Sequence, residues 1–217
     1  MNHHTACINM IKQQLRTGDV LDDDILQLFK RIPREAFVPQ KYQNFAYSDM
    51  QIELAHDQRM FTPLEEALIL QALQLKKTER VLEVGTGTGF LTALMSQLAK
   101  SVVSIDYYQD FTLTAQKQLD QYQCNNAMLH TAEASQGWMT EAPFDVIVMS
   151  CAIPELTKTL RLQLAPGGRI FAIMGQAPVM QGMLYHLDHQ ERWHERLLFE
   201  TAVPSIITNH VVHDFVF

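Results

Sequence analysis

The 217-residue chain has only three cysteines, Cys7, Cys124 and Cys151, and no two of them form a CxxC pair. Isolated cysteines in an odd number argue against a disulfide framework and against a thiolate zinc site. The chain also lacks a run of about 18 apolar residues, so we expect no transmembrane helix. Its first residues contain no apolar stretch behind a basic start, so we expect no secretion and a cytoplasmic protein.

Basic residues are also few and scattered. Seventeen Lys and Arg stand against 24 Asp and Glu, which gives a net charge of −7, and no long basic block occurs. Contacts to nucleic-acid phosphates need clustered Lys and Arg, and an anionic membrane repels an acidic surface. We therefore expect neither a nucleic acid nor a membrane as the main partner.

Nine histidines are present, but their spacing does not predict a metal site. His186, His189 and His194 lie close together in the sequence, as do His210 and His213. They lack carboxylate or cysteine partners at the helical or hairpin spacing that metal sites use. We therefore expect no bound metal.

Hydrophobic residues make up 47% of the chain and charged residues 19%, which is enough apolar material for a core of its own. The first 80 residues favour helices. Apolar residues at three- and four-residue steps predict a first helix over 8–15, and Asp22 can cap a second that runs over 23–29. A third is predicted over 64–75, with Thr62 as its N-cap and Pro63 at its first position.

From residue 80 onward, short apolar strands alternate with helices, which is typical of βαβ units and a parallel sheet covered on both faces. Three later segments, at 183–187, 197–200 and 211–217, favour strands that would complete one edge in antiparallel fashion. The alternating strands are predicted at 81–84, 101–105, 127–130, 144–149 and 169–174, and the helices between them at 90–99, 111–122 and 156–164.

We predict one α/β domain over residues 1–217, with a doubly wound, mostly parallel sheet. Within it we expect a helical N-terminal substrate or lid region at 1–79, a cofactor-binding core at 80–175 and a β-rich region at 176–217.

The strongest motif is E-V-G-T-G-T-G at 83–89, between a predicted strand and a predicted helix. Glycines there let the turn tighten and let the backbone approach a ligand closely. Asp106 ends the next strand about 20 residues on, where a carboxylate can bond ribose hydroxyls. Glu83 precedes the turn, and an acid there suits the α-amino group of S-adenosylmethionine (SAM). Phe90 stands where a dinucleotide fingerprint would have its last glycine, so an NAD-dependent oxidoreductase fits the spacing poorly.

This glycine motif resembles motif I of class I SAM-dependent methyltransferases. Other segments are similar to the protein-L-isoaspartate O-methyltransferase family, and together they extend from about residue 10 to about residue 205. They are M-I-K-Q-Q-L from Met10, R-I-P-R-E-A-F-V-P at 31–39, A-Y-S-D at 46–49, P-F-D-V-I-V at 143–148, the L-x-x-Q-L-x-P-G-G stretch ending at Gly168, and A-V-P-S at 202–205.

The resemblance implies a Rossmann-like fold and methyl transfer from SAM to the free carboxylate of an isoaspartyl residue in damaged protein. The partner would then be a protein or peptide carboxylate. Asp106 would bind the ribose, and Glu133 would lie near the adenine, where the family has the Asp of G-D-G. The residues placed around the cofactor are Glu83, Gly85, Thr86, Gly87, Gly89, Asp106, Tyr107, Glu133 and Ala134.

The chain departs from the family pattern before its third helix. The family reads G-Q-T-I-S-Q-P, whereas this chain has D-Q-R-M-F-T-P at 57–63. The family's active-site Ser therefore falls on Phe61 and its Thr on Arg59, which leaves the catalytic residue unassigned. Thr62 and Arg59 are the remaining candidates. Arg59 could bind a substrate carboxylate or pair with Asp57.

Three hypotheses stay open besides the poorly fitting oxidoreductase. A carboxylate is already deprotonated at pH 7, so the loss of a serine need not abolish its methylation. The chain is therefore an isoaspartyl methyltransferase with an altered loop, a SAM methyltransferase with another acceptor, or a relative that keeps the fold without catalysis. Fold alone does not decide among them.

Overall fold

A computed structural model describes residues 2–188, 190 and 192–208. The predicted strand at 211–217 and three of the histidines discussed above, His189, His210 and His213, lie outside these residues. None of the helices in the described part of the chain is long and apolar enough to cross a membrane.

Three helices form the N-terminal region, as predicted. They are α1 (His3–Met10), which continues as a π-helical turn over Ile11–Leu15, then α2 (Asp23–Arg31) and α3 (Pro63–Leu73). The caps are also confirmed, since the Asp22 carboxylate accepts hydrogen bonds from two backbone amides at the start of α2. Two short 3-10 turns follow α2, at Arg34–Ala36 and Gln40–Phe45.

A small antiparallel hairpin between these turns and α3 was not predicted. Its strands are β1 (Ile52–Glu53) and β2 (Arg59–Met60). His56 and Asp57 both have positive φ, at 57° and 55°, which reverses the chain between the strands. Non-glycine residues seldom adopt this conformation, and the helical pattern predicted for the first 80 residues did not include these strands.

The main sheet contains seven strands among the described residues, and three helices cover it together with α3. The strands and helices, in chain order, are β3 (Arg80–Val84), α4 (Phe90–Ser96), β4 (Ser101–Asp106), α5 (Gln109–Gln121), β5 (Ala127–Thr131), β6 (Phe144–Ile153), α6 (Lys158–Arg161), β7 (Leu164–Gln176), β8 (Val179–Leu187) and β9 (Trp193–Thr201).

The strand order is β5-β4-β3-β6-β7-β8-β9. The first five pair in parallel, and β8 and β9 add an antiparallel edge, which confirms the predicted fold class. The chain leaves β3 toward β4 on one side, while β6 lies on the other side. Ligands of doubly wound sheets bind at such a switch point, outside the carboxyl ends of the strands.

Some boundaries differ from the predicted ones. The helix predicted over 156–164 is only one turn long, because its last residue already pairs with β6 as the first residue of β7. The helix predicted over 90–99 ends at Ser96, where the Leu98 amide bonds back three residues to the Met95 carbonyl. Strand β6 continues four residues beyond the predicted end at 149, so the residues after Met149 stay in extended backbone.

Successive residues of the central strands enter different clusters on the two faces of the sheet. Val81 belongs to a cluster that also contains the buried residues of α1, α2 and α3, while Leu82 belongs to the opposite cluster. The N-terminal helices therefore share one core with the sheet. Such double burial explains the continuous apolar runs in the sequence.

Arg34 connects the N-terminal segments from inside this core. Its guanidinium is fully buried and donates to the Ala46 carbonyl at 2.9 Å, the Glu66 carboxylate at 2.9 Å and the Phe61 carbonyl at 2.5 Å. It also lies over the Phe90 ring, 5.3 Å from the centroid. Burial raises the pKa of the Glu66 carboxyl, and Arg34 opposes that rise.

Replacement of Arg34 should destabilise the protein strongly. In Arg34→Met, the Glu66 carboxylate loses its cation and two buried carbonyls lose their donor, so we expect the free energy of unfolding to fall by about 3–5 kcal/mol. Urea denaturation measures this loss. The double variant Arg34→Met/Glu66→Leu should recover part of it, and a single variant within about 1 kcal/mol of the wild type would contradict this account.

Candidate functional site

A cleft opens at the carboxyl ends of β3, β4 and β6, at the switch point of the sheet. It has two adjoining arms, a wide arm that is partly open to solvent and a narrow arm, which share five lining residues. Asp106, Tyr107 and Tyr108 border the wide arm, and Glu83 and Phe61 border the narrow one. We call their shared lining the junction, which consists of Leu54, Arg59, Gly85, Gly87 and Ser150.

The glycine turn forms the floor of both arms. Gly85 has φ of 102°, and a Cβ on it would lie 3.2 Å from the Cβ of Ser150 on β6. Gly89 is not part of this floor, and a cofactor contact by it stays a prediction. It lies outside the lining of both arms, and a Cβ on it would lie 2.8 Å from the Cβ of Ala115, so it allows α4 and α5 to approach each other.

Glu83 presents an unsatisfied carboxylate oxygen in the narrow arm. The side chain is fully buried, and its Oε2 accepts hydrogen bonds from Ser104 at 2.6 Å and Thr92 at 2.5 Å. Its Oε1 is buried without a partner among the residues that the structure describes. Burial raises the pKa of Glu83 to about 7. A cationic donor in this arm would satisfy Oε1 and favour the ionised carboxylate.

Thr86 supports this arrangement from within the turn. Its hydroxyl lies 2.6 Å from the Ser104 hydroxyl, which in turn donates to Glu83. Thr86 borders the narrow arm, so the predicted pair of Glu83 and Thr86 is brought together in one buried network.

Asp106 stands at the end of β4, where both its oxygens accept from backbone amides. Oδ2 accepts from Gly87 at 2.8 Å and Oδ1 from Tyr108 at 2.9 Å. Burial raises the pKa of Asp106, and these amides oppose the rise. Each carboxylate oxygen can accept a second hydrogen bond, so Asp106 can still bind hydroxyl groups in the wide arm. Tyr107 follows it and borders the same arm.

The loop after β5 enters the wide arm through small residues. Ala132 and Ala134 border the arm, and a cofactor contact by Ala134 stays a prediction. Glu133 does not border it, and its Oε1 instead accepts from the Ser135 amide at 2.6 Å. A cofactor contact by Glu133 stays a prediction, because in the structure its carboxylate bonds to the backbone of its own loop.

The three residues that replace the family's active-site pattern occupy different places. Phe61 is 6% exposed and borders the narrow arm. Thr62 lies outside both arms, because its hydroxyl accepts from the Glu65 amide at 3.1 Å in a complete capping box. Arg59 is exposed at the junction. It forms no ion pair within residues 2–188, 190 and 192–208, so the suggested pair with Asp57 is wrong.

Ser150 is the main site residue that the sequence reasoning missed. It follows Met149, which pairs with Val84, and therefore lies beside Gly85 at the switch point. Its Oγ is buried and has no partner in the described part of the chain. A small polar residue directly after the apolar run predicted as a strand at 144–149 was the signal for it. Cys151 follows and borders the wide arm.

The hairpin β1–β2 was also missed, and it covers the junction. Leu54 borders both arms, and its Cδ1 lies 3.6 Å from where a Gly87 Cβ would be. At the tip, His56 stacks on Tyr108 with 3.8 Å between ring centroids and lies 3.0 Å from the Asp110 carboxylate. No pattern in the sequence predicts this pair of strands, each of which is only two residues long.

No group of three or more His, Cys, Asp or Glu that could hold a metal ion is found within 2–188, 190 and 192–208.

Glu83→Gln should stabilise the protein, and more so at higher pH. The folded-state pKa of about 7 lies above the ordinary value of 4.5, so ionisation destabilises the fold as pH rises from about 4.5 to about 7. The gain in free energy of unfolding should be on the order of 3 kcal/mol at pH 8 and much smaller at pH 5. Thermal and urea unfolding at both pH values measure it. An equal effect at both pH values would contradict the raised pKa.

The sequence and the fold both match known proteins. A sequence model described as protein-L-isoaspartate(D-aspartate) O-methyltransferase matches residues 5–198. A protein-L-isoaspartate O-methyltransferase of Pelotomaculum thermopropionicum is 31% identical over 90% of this chain and 80% of its own length. One of Koribacter versatilis is 36% identical over 80% of this chain and 78% of its own length.

One solved structure, described as a protein-L-isoaspartate O-methyltransferase of Plasmodium falciparum in complex with S-adenosyl-L-homocysteine, has the same fold. It superposes with a TM-score of 0.79 at 20% identity and covers 96% of this chain and 100% of its own. The matches in sequence extend over most of both chains and agree with the fold. The chain therefore belongs to the protein-L-isoaspartate(D-aspartate) O-methyltransferase family.

Proposed function

We propose that this protein is a SAM-dependent methyltransferase that methylates the free carboxylate of isoaspartyl residues in damaged proteins. The observation that supports SAM binding is the pair of carboxylates, Glu83 in the narrow arm and Asp106 in the wide arm. The unpartnered Oε1 of Glu83 suits the ammonium group of SAM, and Asp106 suits the ribose hydroxyls. The family membership and the relative crystallised with S-adenosyl-L-homocysteine support the same reading.

The predicted residues fit such a cofactor in two groups. Glu83 and Thr86 would hold the amino-acid end in the narrow arm, while Asp106, Tyr107 and Ala134 would border the nucleoside in the wide arm. Gly85 and Gly87 would let the backbone approach the middle of the molecule. Gly89 would allow α4 and α5 to pack closely without touching the cofactor. Glu133 would need to turn away from Ser135 to contact the cofactor.

SAM, when bound, would supply an activated methyl group to a carboxylate oxygen, and the methyl–sulfur bond would break with its electron pair going to sulfur. The protein's residues then need to orient the acceptor and exclude water, because an ionised carboxylate needs no general base. Buried apolar walls such as Leu91 and Phe61 exclude water from the narrow arm. The absence of a serine at position 61 is compatible with this chemistry.

The division of the chain follows from this proposal. We assign substrate contact to residues 1–79, because the hairpin within them covers the junction, and cofactor binding to 80–175. We also propose that the protein acts in the cytoplasm as a repair enzyme, since Cys7, Cys124 and Cys151 are all free thiols, as is usual in a reducing compartment.

SAM binding should weaken at acid pH. Glu83, with a pKa of about 7, must be ionised to pair with the ammonium group. We expect roughly five- to tenfold weaker binding at pH 6 than at pH 7.5, measured by calorimetry. Glu83→Gln should bind more weakly and without this pH dependence. Failure of the wild type to bind either SAM or S-adenosyl-L-homocysteine at millimolar concentration would remove the proposal.

Methyl transfer is tested with two peptides of one sequence, one carrying isoaspartate and the other normal aspartate. With labelled SAM, we expect methyl incorporation into the isoaspartyl peptide alone. SAM binding with methylation of another carboxylate only would favour the different-acceptor hypothesis, for which the bulk of Phe61 in the narrow arm is the specific observation. SAM binding with no methylation of any carboxylate would favour the non-catalytic relative.

A further inference from the structure

The junction contains two polar side chains that no other part of the described structure uses. Of its five residues, Leu54, Gly85 and Gly87 offer no polar side-chain atoms. Arg59 is exposed there without an ion pair among the described residues, and Ser150 has a buried Oγ without a partner. A buried hydroxyl without a hydrogen bond is costly, so such a group indicates a ligand that satisfies it.

The place of the junction follows from the shape of the cofactor, and this step rests on the proposed function. With the nucleoside near Asp106 and the ammonium group at Glu83, the sulfur that joins these two halves would lie where the two arms meet, and its methyl group would face the junction. An acceptor carboxylate must approach it there.

We propose that Arg59 and Ser150 together bind the acceptor carboxylate and so take the place of the serine that the family carries at the position of Phe61. The guanidinium N–H groups and the Ser150 O–H would donate to one carboxylate oxygen. The other oxygen stays free to form the bond to the methyl carbon. No proton is transferred in this step, since the acceptor is already ionised.

This arrangement accounts for the choice of acceptor and for release. A single cation at the junction of an acidic protein selects an acceptor that carries a negative charge there. Once the carboxylate has become a methyl ester, its charge is gone and the pairing with Arg59 is lost. The neutral product therefore binds more weakly than the acceptor, which favours its departure.

The positions of Arg59 and Ser150 in the fold indicate different contributions to acceptor binding and to methyl transfer. Ser150 lies on β6 beside Gly85, at the centre of the sheet, and it would fix the direction of one oxygen. Arg59 lies on β2, so it borders the junction from the side of the hairpin. Loss of Arg59 should therefore mainly weaken acceptor binding, whereas loss of Ser150 should mainly slow transfer.

The test measures acceptor binding apart from turnover. The protein is saturated with S-adenosyl-L-homocysteine and titrated with the isoaspartyl peptide by calorimetry. Arg59→Gln should weaken peptide binding about tenfold, because a charge-assisted pair is lost. Arg196→Gln, which removes the same charge from an exposed residue of β9 that borders neither arm, is the matched control and should bind as the wild type does.

Turnover separates the two roles. With labelled SAM, Arg59→Gln should raise the KM for the peptide, while Ser150→Ala should lower kcat about tenfold. Ser150→Thr, which keeps the hydroxyl, should retain most of the kcat. Affinity for S-adenosyl-L-homocysteine should change less than about twofold in all these variants.

The outcomes distinguish this inference from the proposed function. Peptide methylation with unchanged constants in Arg59→Gln and Ser150→Ala would overturn the inference and leave the proposed function intact. A parallel loss of affinity for S-adenosyl-L-homocysteine would also overturn it, since the side chains would then serve the cofactor. Peptide binding that depends on Arg59 without any methylation would support the inference while the proposed function fails. Absence of peptide binding by the saturated wild type would overturn it.

Discussion

The buried guanidinium of Arg34 is the interaction on which the functional half of the molecule depends. It connects three segments that are distant in sequence, through Ala46, Phe61 and Glu66, and all three bonds lie inside the core. Because one of these acceptors is the carbonyl of Phe61, the same side chain fixes the backbone that enters α3. The fully buried guanidinium of Arg34 thus helps to position the wall of the narrow arm.

Strand pairing in the sheet brings together the other side chains of the cleft, which are distant in the sequence. Parallel pairing of β3 with β6 brings Gly85 and Ser150 side by side, although 65 positions separate them in the sequence. Pairing of β3 with β4 places Ser104 against Glu83, so that a hydroxyl supports the buried carboxylate. Strand register therefore brings together the side chains at the base of the cleft, and the glycine turn and the hairpin complete its lining.

Much of this was predictable from local patterns, and the remainder depends on long-range contacts. The glycine turn, Asp106 and the cap at Thr62 have signals within a few residues, and the structure places all three as expected in the fold. Glu133 and Gly89 differ because each has a closer partner, Ser135 for one and Ala115 for the other. The two-residue strands of the hairpin are too short for any periodicity to reveal.

The hairpin that covers the cleft is held at both of its ends. Its tip is stacked against the start of α5 through His56 and Tyr108, and the chain that leaves β2 is tied to the core through the Phe61 carbonyl. The cover is therefore preorganised, and the loss of conformational freedom that a loose loop would suffer on meeting a ligand has already occurred during folding. More of the contact energy gained in the cleft then appears as affinity.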